Sequence, residues 1–374
     1  MRGAGLLALL LASVLQAPML AVAANTGTAA QESPPGGEKP DALDPSRFGA
    51  PAPTGEGQQA APATDKPSDA NGTKPPDGGA ALPGAPVGTP SALDPERFGK
   101  QPDAAYGAFQ RGLYVTAYNL ALVRAKNGDP AAQTLVAEIL SRGLGVPRDA
   151  VGAARWYALA SEQGVPEAQF QYALMLLDGA YVKRDVNAAY ALLEAAAQAG
   201  NVLAQFNLAQ LIVDREPGTA GMKKAIAYYR QAAAAGLADA QYAMAQIFAN
   251  GAGGETRDDV KARRWLERAA RQGFDTAEVD LGTWLVEGRG GKQDRKAGFS
   301  WLRRAALGGN VAAQNRVAKL YMQGLGTDPD NLMAAAWYIL ARRGGLFDPV
   351  MDDFLNGLTP EETKQAIEKA NRLR

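Results

Sequence analysis

Gly143-Leu144-Gly145-Val146-Pro147-Arg148-Asp149, followed by Ala153-Ala154-Arg155-Trp156-Tyr157-Ala158-Leu159-Ala160 and then Gly164, is the stretch on which the fold turns. A Gly-x-Gly turn precedes an Ala-rich segment that a glycine closes. The closing glycine recurs at Gly128, Gly164, Gly200, Gly236, Gly273, Gly309 and Gly345, at spacings of 36, 36, 36, 37, 36 and 36. Self-similarity at such a period marks stacked supersecondary units. Six repeats therefore run from Asp129 to Gly345.

Two rows of residues keep step with that glycine. Eight positions before it stand Trp156, Leu192, Tyr228, Trp265, Trp301 and Trp337, and four before it Ala160, Ala196, Ala232, Ala269, Ala305 and Ala341. A bulky and a small residue at i and i+4 share one helical face, where the small one lets a neighbouring helix approach and the large one fills the gap beside it. A second row opens each unit: Ala132-Gln133, Ala168-Gln169, Ala204-Gln205, Ala240-Gln241, Ala277-Glu278 and Ala313-Gln314. Apolar residues at helical spacing follow it, such as Leu208, Leu211 and Ile212. Each unit reads as two amphipathic helices joined by a Gly-containing turn.

The combination of period, turn and rows resembles the Sel1-like repeat, a relative of the tetratricopeptide repeat, over about 216 residues. The resemblance implies an all-α, right-handed α-solenoid of helix-turn-helix units. Two units depart from the pattern: the third has Asp214-Arg215-Glu216-Pro217-Gly218 for its turn, and the fourth carries the extra residue near Gly253-Gly254-Glu255. Those turns are expected to be the least regular. Residues 101–128 are expected to form an N-terminal capping half-repeat with Tyr106, Phe109, Leu113, Tyr114 and Leu120 as its core. Residues 346–374 are expected to form C-terminal capping helices, the last opened by the capping box Thr359-Pro360-Glu361-Glu362.

In tetratricopeptide-type stacks the first helix of each pair lines the concave surface. If that carries over, the residue after each Ala-Gln pair forms a column along the groove: Thr134, Phe170, Phe206, Tyr242, Val279 and Asn315. Four residues on, the adjoining column is Glu138, Leu174, Gln210, Gln246, Thr283 and Lys319. Phe170, Phe206 and Tyr242, with Leu174, Gln210 and Gln246, would then grip an apolar anchor of a partner segment. The alternative is that the three rings are ordinary core between repeats.

Composition narrows the chemistry. The 374 residues include no His and no Cys, which removes Ser-His-Asp and Cys-His nucleophiles, the usual zinc and haem ligands, and disulfides. Some secreted relatives staple each unit with a disulfide, as this chain cannot. The paired carboxylates best placed for acid–base work are Asp178 and Asp214, one repeat apart, at a separation of roughly 10 Å that is wide for a glycosidase pair. The reading is of a non-enzyme with no catalytic, cofactor or metal residues. With 39 basic against 39 acidic residues, a nucleic-acid partner is not indicated.

The amino terminus has the features of a secretory signal: Arg2, an apolar run from Leu6 to Leu15, and Ala21-Val22-Ala23 as a cleavage site. Residues 1–24 are read as a signal peptide cleaved near Ala23, giving a periplasmic protein with no integral membrane span; the competing reading is an uncleaved anchor. Residues 25–100 hold 14 Pro and 12 Gly with no Trp, Tyr or Ile, so a disordered linker is expected. Within it Ala42-Leu43-Asp44-Pro45-Ser46-Arg47-Phe48-Gly49 recurs as Ala92-Leu93-Asp94-Pro95-Glu96-Arg97-Phe98-Gly99. Phe48 and Phe98, each beside an Asp-Pro turn, are candidate anchors for a partner groove. The function expected is a periplasmic scaffold or regulator binding a protein partner, for which the resemblance suggests a sensor kinase or an envelope assembly factor. The alternative is a protein or hydrolase associated with peptidoglycan or another envelope polymer.

Overall fold

The computed structural model describes residues 103–373. Residues 1–24, expected as a signal peptide, and residues 25–100, expected as a linker, lie outside the described residues, with both copies of the duplicated motif and Phe48 and Phe98. Sixteen α-helices and no strand occur among those described. The first pair is α1 (Ala104–Gln110) and α2 (Tyr114–Lys126). The six repeats follow as α3 (Pro130–Arg142) with α4 (Ala150–Glu162), α5 (Pro166–Asp178) with α6 (Val186–Gln198), and α7 (Val202–Arg215) with α8 (Thr219–Ala234). Then come α9 (Ala238–Asn250) with α10 (Asp259–Arg271), α11 (Asp275–Glu287) with α12 (Arg295–Leu307), and α13 (Val311–Gln323) with α14 (Asn331–Arg343). The chain closes with α15 (Pro349–Asn356) and α16 (Pro360–Arg372). From α1 to α14 each helix packs on the one before and the one after, as an all-α, right-handed solenoid requires.

Local chemistry sets the boundaries. Asp149, Asp185, Asp258, Asp294 and Asp330 each cap the start of a second helix by accepting from backbone N–H groups of its first turn. Gly143, Gly179, Gly251, Gly288 and Gly324 end five of the first helices in the left-handed conformation. In the third unit, which lacks that glycine, α7 and α8 lengthen to 14 and 16 residues and leave a three-residue connection. Its turn is thus tightened rather than loosened. The fourth unit absorbs its extra residue in a 3₁₀ turn, Ala252–Gly254.

The second glycine of the turn answers to stacking. A Cβ on Gly290 would stand 2.2 Å from the carbonyl oxygen of Asp259, and one on Gly326 2.1 Å from that of Arg295. The turns of the fifth and sixth units therefore rest on the start of the preceding unit's second helix.

Small residues carry the helix crossings. The row Ala160, Ala196, Ala232, Ala269, Ala305 and Ala341 is buried throughout, as its spacing requires. A further pairing, Ala137 with Ala153 and its equivalents down the stack, becomes Gly282 against Gly298 in the fifth unit, where an added methyl at Gly282 would meet Leu302 at 2.7 Å. The N-terminal cap is a helix pair, and its core is Ala105, Ala108, Ala117, Ala121 and Ala125. Tyr106, Leu113 and Leu120, expected in that core, are exposed, because no preceding unit covers the face where their equivalents stack. At the other end α16 lies against α14, and its capping box forms as expected.

Candidate functional site

The Ala-Gln row is a joint between units. Gln133, Gln169, Gln205, Gln241 and Gln314 are buried, and each donates its Nε2–H to a carbonyl near the end of the preceding second helix, at 3.2–3.4 Å. Those carbonyls, of Ala125, Ser161, Ala197, Ala233 and Ala306, lie in the last turn of a helix and also accept the N–H of the closing glycine, so the glutamine supplies a second donor. Glu278 has no proton to donate when ionised; it turns instead to Arg304, at 2.9 Å. Burial pushes its carboxyl above the usual range, against the pull of Arg304.

The aromatic column lies inside the stack. Phe170, Phe206 and Tyr242 are 6%, 4% and 8% exposed and belong to one continuous core with Ala173, Ala209 and Ala245. Phe206 meets Tyr229 edge-on at 5.8 Å, and Tyr242 packs against Phe274 at 5.1 Å. Their rings are core between repeats, the alternative the sequence left open, because a first-helix residue one step past the buried glutamine turns inward. Leu174 is half-buried on the same core. Gln210 is buried, with no hydrogen-bond partner for its Nε2 among the described residues.

Polar groups reach the surface of the first helices instead. Asp280 accepts from the Tyr242 hydroxyl at 3.0 Å and from Gln246 Nε2 at 3.2 Å. Burial raises the Asp280 carboxyl above its ordinary range, and the hydrogen bond from Tyr242 and the charge of Arg316 oppose it. One unit on, Arg316 donates to Thr283 Oγ1 at 2.8 Å, and Lys319 meets Asp348 at 2.5 Å. In the first unit Glu138 accepts from the Tyr157 hydroxyl at 2.8 Å and pairs with Arg142 at 3.0 Å. Between these two charged ends, the amides of Gln171 and Asn207 occupy the register position of Asp280, half-buried. Sequence reasoning missed this row because it counted one position early. The signal was the column one residue further on: Leu135, Gln171, Asn207, Ala243, Asp280, Arg316.

Asp178 and Asp214 end consecutive first helices and are exposed. Partial burial raises the Asp214 carboxyl, and it faces Tyr229 rather than another carboxylate. No group of three or more acidic side chains able to hold a metal ion occurs among the described residues, and no described helix is long and apolar enough to cross a membrane.

The Sel1 repeat family model matches residues 130–165, 166–201, 202–237, 238–274, 276–310 and 311–346. Among solved structures, a Sel1 repeat protein from Oxalobacter formigenes is similar at 24% identity and a TM-score of 0.55, over 63% of this chain and 94% of that one. A protective antigen present in uropathogenic Escherichia coli strains is similar at 26% identity and a TM-score of 0.48, over 70% of this chain and 64% of that one. No curated protein matches the chain.

Proposed function

The chain belongs to the Sel1 repeat family, and from that premise we propose that it is a non-catalytic scaffold that binds a segment of a partner protein along the face its first helices line. Sel1 repeat proteins generally mediate protein–protein interaction. The observation that carries the reading is the polar row on that face. Gln171 presents an amide able to donate and accept together, and Asn207, whose Nδ2 also donates to the Leu203 carbonyl at 2.8 Å, presents its Oδ1; they lie between Glu138 with Arg142 at one end and Arg316 with Lys319 at the other. An extended segment carries one donor and one acceptor per residue, which amides satisfy and rings do not. The ion pairs at the two ends, Glu138 with Arg142 and Lys319 with Asp348, would bound the site. Export to the periplasm is part of the proposal and rests on residues 1–24 alone.

Replacing Gln171 and Asn207 together by Arg leaves the buried joints untouched. The double variant is expected to keep its thermal midpoint within a few degrees and to lose the partner that co-purifies with the wild-type chain from a periplasmic extract. Unchanged recovery of that partner would overturn the reading. So would sedimentation of the purified chain with peptidoglycan, together with release of soluble fragments from it.

A further inference from the structure

We propose that the outward side of the second helices of the fourth and fifth units, α10 and α12, is a docking surface for an acidic protein segment. It is a different surface from the first-helix face and stands or falls separately. The chain's overall neutrality conceals it: α10 and α12 together carry nine basic and two acidic residues. Some of these cations are engaged locally. Lys261 pairs with Asp258, Arg263 reaches Glu267 and the Lys292 carbonyl, and Arg304 holds Glu278. Arg264, Arg268, Arg271, Arg295, Lys296 and Arg303 are exposed, and among the described residues none is paired with a carboxylate.

Their register places them together. Arg264, Arg268 and Arg271 stand at i, i+4 and i+7 of α10, one stripe along the helix. On α12, Lys296 and Arg303 hold the register positions of Val260 and Glu267, so they belong to the same stripe one unit further along. Successive equivalent helices lie about 10 Å apart. An extended chain covers that distance in about three residues, so acidic side chains three apart would reach one helix and then the next.

The chemistry favours a protein over a lipid surface. Five of the six free cations are arginines, whose planar fork matches a carboxylate through two parallel hydrogen bonds. The Arg268 guanidinium is held over the Trp265 ring at 4.5 Å, which fixes the fork before a partner arrives. A bilayer asks instead for diffuse charge accompanied by aromatic or long apolar anchors. Here Trp265 and Trp301 are half-buried beneath arginines, the exposed apolar residues of the stripe are only Val260 and Leu307, and Glu267 breaks the positive field.

The test uses the full chain and fluorescently labelled poly-L-glutamate, read by anisotropy. The variant Arg264→Glu/Arg268→Glu/Arg271→Glu is expected to bind at least tenfold more weakly than wild type. Arg111→Glu/Lys183→Glu/Lys364→Glu, which changes total charge equally at exposed positions off the second-helix stripe, is expected to stay within twofold. If circular dichroism shows the first variant unfolded, the corresponding triple Gln variant carries the test. Equal losses in the two charge-reversed variants, no loss in the stripe variant, or no binding by wild type would overturn the proposal. Binding of wild type to phosphatidylglycerol vesicles but not to polyglutamate would overturn it as well.

Discussion

Gln210 and Asp280 show what single residues cost and supply on the first-helix face. Gln210 buries an amide whose Nε2 has no partner among the described residues, a desolvation penalty of about 1–3 kcal/mol. Gln210→Leu is therefore expected to raise the thermal midpoint, read by calorimetry; a lower midpoint would mean the amide is satisfied in solution. Asp280 is held above the ordinary carboxylate range by burial, so its folded form favours the proton. Its contribution to stability is full below that range and is lost as pH rises through the elevated value. Asp280→Asn keeps an acceptor for Tyr242 and Gln246, and its midpoint relative to wild type should climb between pH 4 and pH 8. A constant difference would contradict the assignment. None of this could be read from sequence, because burial of one carboxylate depends on neighbours in the units on either side.

At the scale of elements, the two glycines of the turn act separately. The first ends a helix in the left-handed conformation, and the second lets the turn rest on the unit before. Gly290→Ala puts a methyl against the Asp259 carbonyl and should cost roughly 1–3 kcal/mol by chemical denaturation; no change would mean that the turn can lift off. Beside it, Arg289 lies over the Trp284 ring at 3.7 Å and bonds Asp259 at 2.8 Å, which with Arg257 pulls the Asp259 carboxyl down to about 2. That stability is present above the ordinary carboxylate range and is lost as pH falls toward 2. Arg289→Ala should thus move acid unfolding to higher pH; an unmoved acid limb would rule the bridge unimportant. Period, helix pairs, the alanine row and the C-terminal capping box were legible in the sequence because each repeats or is local. The identity of the half-buried polar column was not. A shift of one residue turns a side chain through about 100° of a helix, enough to exchange Phe206 in the core for half-buried Asn207 beside it.

The whole molecule is a one-dimensional stack, so its stability is a chain of neighbour contacts and its ends are unlike its middle. Trp337, fully buried at the last repeat, is where the stack meets its C-terminal helices; Trp337→Ala should cost about 3–5 kcal/mol and loosen α16 first in hydrogen exchange. The absence of His and Cys fits a fold held by alanine crossings and glutamine joints. Equal numbers of positive and negative charges gave no hint of their segregation, since only the register of the second helices gathers the arginines onto one side. The central claim is that the first-helix face receives the partner. It is tested most directly by a photo-crosslinking residue placed at Asn207 or, as control, at Ala227, which is exposed on α8 of the same unit. The account predicts a discrete protein adduct from Asn207 and none from Ala227; an adduct from Ala227 alone, or from neither site, would contradict it.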